Sequence, residues 1–302
     1  MTTAANEPLT TAFANHRDHL RAVAYRMLGT VTETEDVLQD AYLRVSTSDP
    51  TEIINPRAYL SQVVTRLCLD HLRSARVRRE QYVGPWLPEP LVVESECAKP
   101  PEPEQLTALR EDVSIALMLA LERLSPLERA AFILHDIFDV EYPELALVLG
   151  REEAACRQLA ARGRRRVRES RPRRAATQSA PPTPTALLTA FTIAARDGDI
   201  AKLERVLAED VAVTADGGGR VTAATKVVRG RHNVVRLILG LMRHIDPRAR
   251  LWPATVNGHP GLVLRQGDTI TQTIAFEICD GQIAHIYTVR NPDKLRHLAV
   301  HP

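Results

Sequence analysis

Apolar positions recur at helical spacing through the first half of the chain and alternate through its last quarter. In "ETEDVLQDAYLRV", Val37, Leu38, Ala41 and Val45 fall on one stripe, which predicts a helix. Asp36, Gln39 and Asp40 then share another face, because residues three and four apart are neighbours on a helix surface. "NPRAYLSQVVTRLCLDHLRSAR" sets Leu60, Val63, Val64 and Leu67 on one stripe and Gln62, Arg66, Asp70 and Arg73 on another. "LSPLERAAFILHD" opens with a strong start signal: Ser125 as cap, Pro126 at the first helical position and Glu128 completing a capping box. "EYPELALVLG" predicts a short helix with Pro143 near its start and Gly150 as its stop. A further helix, "EEAACRQLAARGRRRVRE", begins near Glu152 after a tight turn at Gly150–Arg151. Two short helices joined at a glycine fit a helix-turn-helix, and an ordinary helical hairpin gives the same pattern.

The pattern changes after residue 185. "TALLTAFTIAARDGDIAKLERVLAEDVAV" predicts two helices and a strand, and "GRHNVVRLILGLMRH" a third helix. "RARLWPATVN", "HPGLVLRQ", "DTITQTIAFEIC" and "QIAHIYTVR" alternate as strands, with "NGHPG" and "CDGQ" as hairpin turns. Helices followed by antiparallel strands make an α+β domain, and a curved sheet wrapped over helices would leave a conical pocket. Prolines mark the boundaries: half of the chain's 20 lie in residues 85–103 and 172–184. The expected organisation is therefore multidomain. Helical domains span 8–84 and 104–171, linkers 85–103 and 172–184, and an α+β domain 185–302. The first linker contains "WLPEP", with Trp86 and Leu87 set among prolines. A plain spacer needs no large apolar ring, so this stretch is expected to dock as well as span.

Composition narrows the class. The chain has 302 residues with 44% hydrophobic and 25% charged content, ordinary for a globular protein. No apolar run of transmembrane length occurs, and "MTTAANEPLT" lacks a secretory pattern, so the cytoplasm is the expected compartment. Cys68, Cys97, Cys156 and Cys279 are widely separated, which argues against a metal site or disulfide framework. The net charge of +2 hides a strong local bias. From Arg157 to Arg174 nine arginines stand against Glu169 alone, and Arg73, Arg76, Arg78 and Arg79 form a second cluster. Such stripes on a nearly neutral chain point to specific polyanion contacts.

With these motifs quoted, residues 10–170 resemble an extracytoplasmic-function sigma factor of bacterial RNA polymerase. "TETEDVLQDAYLRV" is similar to the core-binding helix of sigma region 2, and "NPRAYLSQVVTRLCLDHLRSAR" to the helix that reads the −10 element. The stretch from "LSPLERAAFILHD" to "RRRVRE" is similar to region 4, the −35 reader. The remainder resembles a SnoaL-like (nuclear-transport-factor-2-like) domain, an extension carried by one sigma subfamily. That subfamily's signatures stand intact: "WLPEP" at 86–90, "DGGGR" at 216–220 and "NPDKL" at 291–295.

The resemblance implies two all-α sigma domains, a C-terminal α+β cone domain, and no catalysis or cofactor. Core RNA polymerase and promoter DNA become the partners. It implies that Asp36, Gln39 and Asp40 face the polymerase. Arg66 and Arg73 would serve the −10 contact, with Arg76, Arg78 and Arg79 on phosphate. On the −35 side, Arg157, Gln158 and Arg162 would reach base edges, and Arg164, Arg165, Arg166 and Arg168 phosphate. The loop "STSDPTEIINP" before the −10 helix has no aromatic residue and carries Asp49 and Glu52. The C-terminal domain would act as a built-in regulator. It would use the linker strip Trp86, Leu87 and Pro88, the turn Asp216, Gly217, Gly218, Gly219 and Arg220, and the end motif Asn291, Pro292, Asp293, Lys294 and Leu295. The competing reading is a small-ligand enzyme fused to a DNA-binding module, with Asp268, Glu277, His285 and Tyr287 as pocket candidates. A small ligand in the cone is left open.

Overall fold

The structure is a computed structural model. It describes residues 9–48, 53, 55–80, 82–94, 113–170, 183–246 and 248–298; the side chains of 74–80 and 94 lie outside the description. The described chain forms two compact units. One holds residues up to 80 together with 113–170, and the other holds 82–94 together with 183–298.

The first unit is helical. It comprises α1 (Leu9–Leu28), α2 (Val31–Ser46), α3 (Pro56–Glu80), α4 (Ile115–Leu121) and α5 (Pro126–Phe132). These are followed by a π turn (Ile133–Ile137), α6 (Tyr142–Leu149) and α7 (Glu153–Ser170). The stripes read from the sequence face inward: Val37, Leu38, Ala41 and Val45 on α2 and Leu60, Val64 and Leu67 on α3 are buried, and Val63 is half-buried. The two helical stretches, expected as separate domains, share this unit for an identifiable reason. Arg129 of α5 is 3% exposed, and its guanidinium donates to Met27 O at the end of α1 (2.8 Å) and to Leu121 O (2.9 Å). Glu122 neutralises it at 2.8 Å. Removing that cation from its partners would strand a buried charge, so α1, α4 and α5 are held together.

The second unit is a seven-stranded sheet with helices on one face. Its elements are β1 (Val92–Glu94), α8 (Pro184–Asp197), α9 (Ile200–Val206), β2 (Leu207–Asp216) and β3 (Val228–Arg229). There follow α10 (Arg231–Met242), β4 (Arg250–Val256), β5 (His259–Gln266), β6 (Thr269–Cys279) and β7 (Gln282–Val289). Strand order is β1-β4-β5-β6-β7-β2-β3. Two features depart from the expectation of a purely antiparallel domain beginning at 185. β2 pairs β7 in parallel, with α10 and four strands (β3 to β6) intervening between them in the chain. The outer strand β1 comes from the proline-rich stretch, with Val92 opposite Val256 and Glu94 opposite Ala254. The hairpins after β4 and β6 turn at Asn257–Gly258 (φ 48° and 74°) and Asp280–Gly281 (φ 53° and 74°), the left-handed pairs that a two-residue hairpin loop needs.

The space between helices and sheet holds a cluster of apolar side chains. Leu187, Leu188, Phe191, Leu203, Val234, Val235 and Ile238 from the helices meet Val211, Val213, Leu262, Phe276, Ile283 and Ile286 from the sheet. The Phe191 and Phe276 rings meet edge to face at 5.1 Å.

Candidate functional site

The helix-turn-helix is built from local signals that act as read. Ser125 and Glu128 form the full capping box of α5. Gly150 caps α6 in the left-handed region (φ 60°, ψ 46°), which lets the chain reverse into α7. On α7, Cys156, Leu159, Ala160, Gly163 and Val167 are buried. Ala154, Arg157, Gln158, Ala161, Arg162, Arg165, Arg168 and Glu169 are exposed, and the Arg166 side chain is 43% exposed. At Gly163 α7 lies close against α5, since an added Cβ would lie 3.0 Å from Phe132 Cβ and 3.2 Å from Glu128 O.

The arginines of α7 divide into two groups that residue type alone did not separate. Arg157 lies over the Tyr142 ring at 5.1 Å and pairs with Glu153 one turn back. Arg165 is 69% exposed and only loosely paired with Glu169 at 3.9 Å. Arg162 and Arg166, by contrast, both bind the Glu128 carboxylate, at 3.1 and 2.6 Å, and Arg164 binds Asp136 at 2.8 Å. Burial alone would raise the Glu128 carboxyl. The Ser125 N–H and hydroxyl, together with the Arg166 and Arg162 charges, outweigh it and hold the group below the usual carboxylate range.

On the other helices, Asp36, Gln39 and Asp40 are exposed together on α2, beside a groove of about 420 Å³ lined by Phe13, Arg17, Glu35, Leu38, Gln39 and Tyr42. Arg66 and Arg73 are exposed on α3, with Arg73 paired to Asp70 at 3.0 Å. Gln62 of the same face donates to Leu147 O of α6 at 2.8 Å. The side chains of Arg76, Arg78 and Arg79, and the loop acids Asp49 and Glu52, lie outside the described residues.

The linker motif and both C-terminal motifs converge within the second unit. Asp216, at the end of β2, is fully buried and organises the site. Its Oδ1 accepts from the Tyr82 hydroxyl at 2.6 Å, and its Oδ2 from the Leu87 N–H at 2.8 Å and Lys294 Nζ at 2.8 Å. Lys294 also donates to Leu87 O, so both main-chain polar groups of Leu87 are bound while its side chain is fully buried. The ammonium stands 4.4 Å from the Trp86 ring centroid and 4.8 Å from that of Tyr82, an arrangement in which ring faces share the charge. Pro88 and Pro90 are buried with Leu87.

The glycines serve this close approach. Gly218 and Gly219 take φ of 59° and 69°, and a Cβ on Gly218 would run into the Asn291 amide. A Cβ on Gly217 would lie 2.5 Å from Val221 O. Asn291 Nδ2 donates to the Tyr82 hydroxyl at 2.8 Å while its Oδ1 accepts from the Asp293 N–H at 3.0 Å, starting the short turn Pro292–Lys294. Arg220 and Asp293 pair at 3.2 Å, and Leu295 is buried. Sequence reasoning missed three partners. Tyr82 precedes the motif, Asn257 exchanges bonds with both main-chain groups of Leu91 (2.8 and 3.1 Å), and His297 meets Pro90 O at 2.8 Å.

The pocket candidates are placed differently from expectation. Asp268 is exposed at the β5–β6 turn. His285, Tyr287 and Glu277 lie on the sheet face opposite the helices, because Ile286 and Phe276 beside them take the core side. There His285 stacks on Tyr287 at 4.0 Å and bonds Thr214 Oγ1 at 2.8 Å, and Tyr287 donates to Glu277 at 2.9 Å. Among the described residues no group of three His, Cys, Asp or Glu side chains could share a metal ion. No helix described is long and apolar enough to cross a membrane.

A helical unit with an arginine-bearing helix-turn-helix, joined to an α+β unit that grips a linker strip, defines a class, and comparison with known proteins agrees. Residues 12–78 match Sigma-70 region 2, and residues 114–167 match Sigma-70, region 4. The ECF RNA polymerase sigma factor SigJ of Mycobacterium tuberculosis is 40% identical over 289 residues, covering 92% of this chain and 90% of that protein. Probable ECF RNA polymerase sigma factor SigI of the same species is 33% identical over 292 residues, covering 96% of each. The crystal structure of M. tuberculosis SigJ superposes with a TM-score of 0.74 at 36% identity, covering 95% of this chain and 98% of that one. The chain belongs to the extracytoplasmic-function sigma factors. It is an alternative sigma factor that directs transcription initiation.

Proposed function

We propose that the C-terminal unit regulates the sigma activity by holding the linker strip. The observation that carries this reading is Leu87, whose side chain is fully buried and whose N–H and carbonyl are both held by the buried Asp216–Lys294 pair. A spacer has no need of such a site; a segment whose release or capture changes the path of the chain does. In this reading the α+β unit carries no catalysis. The Asp36, Gln39 and Asp40 face takes core polymerase by charge complementarity, and α3 serves the −10 element through Arg66 and Arg73, with Arg76, Arg78 and Arg79 beyond. On α7, Arg157 and Gln158 read bases, while Arg165 and Arg168 hold phosphate.

The test is run-off transcription with core polymerase, comparing the full chain, a chain ending at residue 182 and Lys294→Met. The reading expects promoter-specific transcripts whose yield changes when the strip is released. Equal yield from all three proteins would remove the regulatory role. Loss of core-polymerase pulldown on Asp36→Arg is expected, and retention would move the polymerase contact elsewhere.

A further inference from the structure

Glu128 stands where two requirements of a DNA reader meet. It is 5% exposed and lies at the start of α5, on the helix that packs against α7 at Gly163. Its two oxygens take Arg162 and Arg166, which lie one turn apart on α7 and flank Gly163. Two ion pairs on either side of that tight contact fix the roll of α7 about its own axis, and with it the direction in which Arg157 and Gln158 project. The same pairs occupy two cations that would otherwise be available to phosphate. Turning either arginine outward would leave a buried carboxylate short of a partner, which opposes the exchange. Arg164, held by Asp136, adds a third tether on the same helix.

We propose that Glu128 is a positioning residue for −35 recognition. By holding Arg162 and Arg166 it sets the roll of α7 and narrows the phosphate-binding charge to Arg165 and Arg168, so that sequence is read by Arg157 and Gln158. This rests on the reading of α7 as the −35 helix.

The experiment uses the full chain bound to core polymerase. One probe is a duplex selected from a random pool by the wild-type complex, and a second is the same duplex with its −35 half scrambled. Affinity is measured against KCl concentration, and folding of each variant is checked by circular dichroism. Arg165→Ala should lower the slope of log affinity against log salt by about 0.9, the loss of one phosphate contact. Arg162→Ala and Arg166→Ala should leave the slope unchanged but reduce discrimination between the two probes several-fold. Glu128→Gln should raise the slope by about 1–2, as freed arginines find phosphate, and also reduce discrimination. A drop of about 0.9 in slope for Arg162→Ala or Arg166→Ala overturns the proposal, even if Glu128→Gln fails to fold. So does unchanged discrimination in those variants. If Arg157→Ala and Arg165→Ala both leave discrimination and slope at wild-type values, the −35 reading itself is wrong, a result distinct from failure of the Glu128 role.

Discussion

Asp216→Asn is the most informative single change in the linker site. The carboxylate receives three donors, from Tyr82, Leu87 and Lys294, at 2.6–2.8 Å, and both it and Lys294 are almost completely buried (0% and 7% side-chain exposure). The amide keeps one acceptor oxygen and loses the charge. Lys294 is then a buried cation without its counterion, for which removal of one partner typically costs about 3–5 kcal/mol. Tyr82 or Leu87 must also give up a charge-assisted bond. At about 3 kcal/mol the folded-to-unfolded ratio of this unit falls roughly 150-fold. The double variant Asp216→Asn/Lys294→Met removes the stranded cation. Its cost should therefore be smaller than the sum of the two single changes, by about 1–3 kcal/mol.

Both tryptophans, Trp86 and Trp252, lie in this unit, so urea unfolding of the full chain followed by tryptophan emission reports on its transition. Limited proteolysis between residues 82 and 91 reads release of the strip directly. A change below about 0.5 kcal/mol for Asp216→Asn, where surface substitutions normally fall, would refute the reasoning if the strip also kept wild-type protection.

Three further outcomes follow from the same geometry. Leu87→Ala empties a fully buried site and should cost about 2–5 kcal/mol in this unit and red-shift Trp86 emission; an unshifted spectrum would show the strip already free. Gly163→Ala sets a helix-propensity gain of about 1 kcal/mol against overpacking of about 1–3 kcal/mol at Phe132 and Glu128, so urea titration of the helical unit should show a net loss. His285 is pushed down from 6.5 to about 4, first by burial and then by the Arg229 charge. It is neutral when folded while the unfolded chain takes up a proton below pH 6.5. The associated stability is therefore complete above that pH and lost as pH falls from 6.5 to 4, by about 2–3 kcal/mol. His285→Phe should flatten that dependence in the tryptophan-monitored transition, and an unchanged slope would exclude His285 as its source.

Local periodicity made the helices and strands legible, because burial of Val37, Leu38, Ala41, Val45, Leu145 and Val148 follows directly from spacing. The strip was legible because Trp86 and Leu87 are out of place among prolines. Tyr82, Asn257 and His297 were not, since their contacts close over separations of 134, 166 and 207 residues with no local signature. β1 is only Val92–Glu94, too short to show alternation. The arginines of α7 could not be sorted by type, because a guanidinium suits phosphate and carboxylate alike. Which one it meets depends on the phase of α7 against α5, with Glu128 lying 34 and 38 residues from Arg162 and Arg166. The faces of His285 and Tyr287 were similarly hidden, because the β6–β7 register shifts between Glu277 and Ile278.

Transcription from a pool of the source bacterium's genomic fragments, using purified core polymerase with and without this protein, tests the central claim most directly. The account predicts a discrete set of new start sites that share −35 and −10 sequences and depend on the added chain. Absence of any promoter-specific transcript, with either the full chain or the chain ending at residue 182, would contradict it.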